Sequence, residues 1–307
     1  MNSPTVAVII PAFRAEKWLR ACLASVAAQS FGAWQVIVVE DGSKDATEQI
    51  VKTFAANFPG KFTYLHSAKN IGPAAARNLG IRLSESQIVA FIDSDDLWTK
   101  DHLAVMVDGI MASGSDLAYS RITEFTAGVE PALDSAALSG TPRDVKPMDL
   151  FENSPLLPSC VLVRRKALLK MELFEESLRW AEDLDLWIRL MRSGAQFHDS
   201  LRHSCWRRLS DTHLTANSAK VAEYSGRLYL RHLDWPVLDQ SVVRQRAIHY
   251  LTSAARMNFW NDPKLAGSFY YLSWRTQRWQ LTNFGRFLLA RLAVLFPRRL
   301  RLRIRKH

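Results

Sequence analysis

Short β-branched apolar runs alternate with longer segments of helical period over the first 120 residues, and this alternation restricts the fold more than any other feature of the chain. Residues 6–10 are Val-Ala-Val-Ile-Ile, an uninterrupted apolar run of strand length. Residues 16–29 follow with Trp18, Leu19, Cys22, Leu23 and Val26 on one helical face. The pattern then repeats as strand 35–40, helix 46–58 with Asp45 as its N-cap, strand 62–66, and helix 73–83 with Pro73 in its first turn. Strand 88–92 and helix 100–112 come next, and residues 117–119 begin another strand. Strands that alternate with helices predict a parallel, doubly wound sheet. Ligands of such sheets bind outside the carboxyl ends of the strands. Pro11-Ala12-Phe13-Arg14, Asp41-Gly42-Ser43, Asn70-Ile71-Gly72 and Asp93-Ser94-Asp95-Asp96 are therefore predicted to meet at one edge.

The second half is less regular. Residues 123–147 are rich in Ala, Ser, Gly and Pro and form an excursion; 160–163 and 196–197 suit further strands, with helix 182–192 between them. Beyond residue 219 the pattern is helical and rich in Trp and Arg. Hydrophobic content of 48% and charged content of 23% in 307 residues exclude wholesale disorder and permit a sizeable core. Cys22, Cys160 and Cys205 are widely spaced among apolar neighbours, so buried free thiols are expected rather than disulfides or a zinc site. The first residues have no basic, signal-like region, and no run reaches the length of a spanning helix, so a cytoplasmic protein is expected. The net charge is +10, but residues 286–307 hold eight basic residues and no acids, leaving +2 for the remainder. That distribution argues against a nucleic-acid surface across the body.

Each polar motif has a chemical reading and a plainer one. Carboxylates crowded after strand 88–92 repel one another, which suits a hard divalent cation, Mg²⁺ or Mn²⁺, shared with a diphosphate. They also suit the start of the next helix. Asp41 suits a hydrogen bond to a base or ribose, although Asp-Gly-Ser is equally a turn. Gly72-Pro73 opens a helix whose N-terminus offers free backbone N–H groups to phosphate, with Arg77 one turn in.

Taken together and in order, Val8-Ile9-Ile10-Pro11-Ala12-Phe13, Ser25-Val26-Ala27-Ala28-Gln29-Ser30, Val38-Val39-Glu40-Asp41-Gly42-Ser43, Asn70-Ile71-Gly72-Pro73-Ala74-Ala75-Ala76-Arg77-Asn78 and Phe91-Ile92-Asp93-Ser94-Asp95-Asp96 resemble glycosyltransferase family 2. The resemblance spans about residues 5–105. It implies an α/β fold of GT-A type, Rossmann-related, with a mostly parallel sheet flanked by helices and a helical C-terminal extension. It further implies a nucleotide-diphosphate sugar donor, a divalent cation and inversion at the anomeric carbon. By the same resemblance Pro11, Phe13 and Asp41 line the base pocket, Arg77 approaches the nucleotide or its diphosphate, Asp93 contacts ribose and Asp95 binds the metal. Glu40 stands where the family commonly has Asp, which puts a ribose contact there in question.

In the second half, Trp180-Ala181-Glu182-Asp183-Leu184-Asp185 resembles the family's Glu-Asp segment before an amphipathic helix. Asp183, then Glu182, is the candidate general base, although acids also favour any helix N-terminus. Trp206-Arg207-Arg208 through His213 resembles the segment that closes over the donor, with His213 toward diphosphate or metal, although a lone His is more often a surface or core residue. Trp180 suits stacking on a sugar or plain packing. Gln277-Arg278-Trp279 lacks the spacing of the processive synthases' Gln-x-x-Arg-Trp, so single addition is expected.

The expected organisation is a catalytic domain over 1–216, with the donor side in 1–120 and the acceptor and base side in 121–216, then a helical region over 217–307. The apolar stretch from Phe284 and its basic flank, residues 284–307, suit an anionic membrane surface, a helix packed on the body, or a nucleic-acid contact; the membrane is preferred. The expected reaction moves one sugar, UDP-linked, to a hydroxyl of a saccharide or lipid-linked saccharide on the inner face of the membrane. Two rivals are a sugar-nucleotide nucleotidyltransferase, disfavoured by the absence of a Gly-rich loop after the first strand, and a non-catalytic protein that binds a membrane surface.

Overall fold

In the computed structural model the described residues are 5–126, 128, 131–134, 137–138, 140–141, 145–209, 218–277 and 281–295. The chain divides into two compact units, Met1–Ser210 and Asp211–His307.

The first unit is built on one mixed sheet. Its first half is strands β1 (Val6–Ala12), β2 (Trp34–Glu40), β3 (Phe62–His66) and β4 (Ile88–Phe91), with helices α1 (Leu19–Ala27), α2 (Thr47–Asn57) and α3 (Pro73–Leu83) between them. The short strand β5 (Leu97–Trp98), helix α4 (His102–Ser113), strand β6 (Leu117–Thr126), strand β7 (Ala137–Leu138), helix α5 (Pro147–Asn153), strand β8 (Val161–Arg164), helices α6 (Arg165–Lys170) and α7 (Glu182–Arg192), and strand β9 (Phe197–Leu209) complete it. The strand order is β3-β2-β1-β4-β8-β6-β9-β5, with β7 paired to β9.

The expected parallel sheet holds for β3-β2-β1-β4, whose register brings Ala12 beside Glu40 and Glu40 beside His66. Beyond β4 the directions mix, and β6 and β9 again run parallel. Strand β8 runs antiparallel to both β4 and β6, and β5 and β7 run antiparallel to β9. A buried run such as Val-Leu-Val is apolar in either direction, so its sense depends on the connections around it. Strand β9 is also far longer than the two residues expected. Most of its side chains are half-buried, which removes the alternation that marks a strand in sequence.

Burial explains the motif around Gln29, which ties α1 to β5 and α4. Its amide Nε2 donates to the Ser25 and Thr99 carbonyls, and Oε1 accepts from the Leu103 N–H at the start of α4. Ser25 Oγ accepts from the Trp98 N–H. These bonds fix β5 and α4 just beyond the acid cluster. Helix α2 starts one residue later than expected, with Ala46 in place of Asp45 at the N-cap; Asp45 still accepts from the N–H groups of Thr47 and Glu16, while Glu16 accepts from the Ala46 N–H. The three cysteines are buried and free, and burial raises each thiol's pKa, so none is poised to react.

The second unit is helical: α8 (Ser218–Arg231), α9 (Gln240–Asn258), α10 (Pro263–Thr276) and α11 (Leu281–Ala293). Asp239 and Asp262 cap α9 and α10, accepting from the Ser241, Val242 and Leu265 N–H groups. Leu251, Ala255, Ala266, Phe269 and Ala290 form its core. Thr252, Ser273 and Asn283 satisfy one another inside it, Asn283 Nδ2 donating to Ser273 Oγ at 2.8 Å.

Helix α3 lies so close on β1 that a Cβ on Gly80 would sit 2.6 Å from Ile9 Cγ2. Gly80→Val should therefore overpack the joint and destabilise the protein by about 1–3 kcal/mol, read from urea unfolding.

Candidate active site

Strand β4 ends in the acid cluster, and burial divides its members. Asp96 is buried. Its Oδ2 accepts from Ser159 Oγ at 2.6 Å and its Oδ1 from the Arg208 backbone N–H at 3.0 Å. Burial first, then the charges of Asp93 and Asp95, push its carboxyl well above the usual range. Ser159 also accepts from the Asp93 N–H, and Arg208 Nε donates to the Asp95 carbonyl. The Arg208 guanidinium lies 4.0 Å from the Trp18 ring centroid and 4.5 Å from that of Phe125. Asp96 therefore fastens the cluster from behind. The Asp93 side chain keeps 41% of its surface open, and Asp95 is half-buried. Ser159 carried no signal in the sequence, since a serine beside Pro158 reads as a turn.

Arg77 sits behind Asp93 on α3 and is only 3% exposed. Its two terminal nitrogens donate at 2.8 Å to Asp93 Oδ1 and to Glu182 Oε1. The guanidinium carbon lies 5.6 Å from the Phe174 ring centroid, and its buried Nε finds no partner among the described residues. Burial works against the Arg77 charge, but the carboxylates of Asp93 and Glu182 outweigh it, so its pKa is raised. One cation thus joins the end of β4 to the start of α7, its two partners lying 16 and 105 positions along the chain from Arg77.

The start of α7 is strained. Ala181 adopts a left-handed φ of 59°, where a side chain is unfavourable, and the helix begins at once with Glu182 and Asp183. Arg189 holds that helix by donating to Asp185 Oδ2 at 2.7 Å and to the carbonyls of Met171 and Leu173. Glu182 is buried, and burial and then Asp183 push its carboxyl up to about 7 against the pull of Arg77. Asp183 is half-buried; burial raises its pKa, opposed by Arg77, and one oxygen accepts from the Leu184 N–H at 2.8 Å.

On the opposite flank Pro11 is half-buried and Phe13 is 45% exposed at the end of β1, with Arg14 over the Phe13 ring at 5.2 Å. The longer arm of Glu40 has a use here. It is buried and accepts from the Ser43 N–H and Oγ, while its other oxygen bonds His66 Nδ1 at 2.5 Å. Asp41 is buried and accepts from the Ile71 and Gly72 N–H groups at 2.5 and 2.9 Å and from Asn70 Nδ2 at 3.0 Å. It shapes the loop that precedes α3. Gly42 and Gly72 permit this, both at positive φ; a Cβ on Gly42 would meet the Lys69 carbonyl carbon at 2.5 Å. Exposed Arg179, which sequence reasoning missed, donates to Asn70 Oδ1 at 2.7 Å and packs over Gly72.

Among the described residues no group of three or more His, Cys, Asp or Glu forms a ready metal cage. Mg²⁺ and Mn²⁺ at a diphosphate do not require one, since one or two carboxylates suffice beside phosphate oxygens and water. Asp95 and Asp93 fit that requirement. His213, Arg278 and Trp279 lie outside the described residues.

The profile of glycosyl transferase family 2 matches residues 7–171, which include the acid cluster and both strands beside it. The chain belongs to that family. A glycosyltransferase of Rickettsia conorii is 31% identical over 193 residues, 62% of this chain but only 30% of its own length. TuaG of Bacillus subtilis, named for teichuronic acid biosynthesis, is 25% identical over 226 residues, 74% of this chain and 87% of its own. TarS 1–349 of S. aureus with UDP-GlcNAc superposes with a TM-score of 0.65 at 20% identity, covering 87% of this chain and 80% of that one. The GT-A fold class expected from the motifs therefore holds.

Replacing Arg77 by Met should strand the buried Glu182 carboxyl and cost about 3–5 kcal/mol of stability. Combining Arg77→Met with Glu182→Gln should recover part of that loss in denaturant unfolding, because the stranded group is then neutral.

Proposed function

We propose that the chain transfers a single sugar, with inversion, from a nucleotide-diphosphate sugar to a hydroxyl of a saccharide or lipid-linked saccharide acceptor. The observation that carries this reading is the Arg77 bridge, which holds a donor-side carboxylate, Asp93, and the Glu182-Asp183 pair against one cation. Family membership supports a nucleotide-sugar donor, and the UDP-GlcNAc bound by TarS favours UDP as the carrier. The name of TuaG favours a surface glycan as the product.

In this mechanism the acceptor oxygen attacks the anomeric carbon as the bond to the diphosphate oxygen breaks on the opposite face. Asp183 takes the hydroxyl proton, and its raised pKa brings its basicity nearer to neutral pH. Glu182, committed to Arg77, keeps the pair oriented and is the second candidate for the base. Asp93 faces ribose, Pro11 and Phe13 border the base, and Asp41 acts through the Asn70-Ile71-Gly72 loop that it holds. A divalent cation, Mn²⁺ or Mg²⁺, held by Asp95 with Asp93 would offset the charge of the departing diphosphate. Such an enzyme would work on the cytoplasmic face of the membrane, where nucleotide sugars are made. A nucleotidyltransferase is less well supported, because β1 ends in Pro11-Ala12 and runs on into Phe13-Arg14 in place of a Gly-rich loop.

A panel of nucleotide sugars, scored by hydrolysis and by thermal shift with Mn²⁺ or with EDTA, tests the reading. At least one donor should stabilise the parent with Mn²⁺ and turn over; the absence of both effects across the panel sinks it. Asp183→Asn should lower kcat by about 10²–10⁴-fold while the KM for the donor changes little. Asp95→Ala should instead abolish the Mn²⁺-dependent part of the thermal shift.

A further inference from the structure

Helix α11 presents an apolar face where a surface helix ordinarily presents a polar one. Its packed side is set by Asn283 and Ala290, which are 2% and 0% exposed, and Ala290 lies so near α10 that a Cβ on Gly267 would sit 3.5 Å from it. Leu281, Leu288 and Leu292 follow the helical spacing of i, i+7 and i+11 on the opposite side, 73%, 47% and 56% exposed. Leu289 lies beside them, 59% exposed. One flank of the face is aromatic: Trp274 packs on Phe284 with ring centroids 4.9 Å apart, and Tyr271 on Phe287 at 5.3 Å. Arg275 lies over Tyr271 and Arg291 over Phe287.

Charge decides what covers this face. From Arg286 to the end of the chain there are eight basic residues and no acids. A second copy of the chain would bring two such cationic segments together, and their repulsion opposes that contact. An anionic bilayer offers negative headgroups and apolar tails in the same place, and a Trp/Tyr flank suits the boundary between them. No helix among the described residues is long and apolar enough to cross a membrane, so the contact is a surface one. We propose that α11 docks on an anionic lipid surface through Leu281, Leu288, Leu289 and Leu292, with the following basic segment supplying the attraction to headgroups. This proposal is independent of the sugar-transfer reading.

The test is co-sedimentation of the full chain with vesicles of phosphatidylcholine alone or mixed with phosphatidylglycerol. The parent should bind the mixed vesicles, release them as salt rises, and leave the neutral ones in solution. Leu288→Ser/Leu292→Ser alters only exposed side chains, so its thermal unfolding should match the parent while its vesicle partition falls about tenfold or more. Equal binding by parent and variant overturns the proposal, as does equal binding to both vesicle types. A lipid-free dimer that the variant converts to a monomer also overturns it and assigns the face to a second copy.

Discussion

The buried guanidinium of Arg77 is the constraint on which the site depends. Two carboxylates, the half-open Asp93 and the buried Glu182, reach it from elements far apart in sequence, and Glu182 would be costly to bury without that cation beside it. Because the contact is withdrawn from water, its strength is not screened as a surface pair's would be. Any movement of α7 away from β4 would break a charge-assisted bond in a low-dielectric setting. Asp93 and the Glu182-Asp183 start of α7 are thereby held in one frame.

Around that bridge, chemically similar acids have been given different work by their surroundings. Asp96, Asp185 and Asp41 are buried and hold backbone or arginine partners, so they shape the scaffold. Asp93 and Asp95 remain open enough to meet a ligand. Glu40 and Glu182 are also buried, the first spent on Ser43 and His66, the second on Arg77. Exposure and hydrogen bonding make these assignments, because the carboxyl group itself is the same in every case.

Much of this was legible in the chain. Strands β1 to β4 and helices α1 to α4 follow from apolar period and punctuation, and helix α3 spans the expected Pro73–Leu83. The meeting of four polar segments at one edge follows from parallel topology alone. What stayed hidden depended on long-range contact. Ser159 and Arg179 sit in segments of no particular pattern, and their importance comes from lying beside Asp96 and Asn70. The burial of Arg77 was equally invisible, since an arginine on a helix is solvated unless something else covers it.

Local sequence by itself determined the βα rhythm, the acid cluster at a strand end and the division between a nearly neutral body and a basic tail. These are matters of residue type and spacing over a few turns of chain, where side-chain period and hydrophobicity act directly. Only the tertiary structure decided the antiparallel sense of β8, the length of β9 and which acids face solvent. Those outcomes depend on what packs against each residue from 63 to 112 positions away, and the cost of burying a charge is set by that neighbour, whichever residue carries the charge.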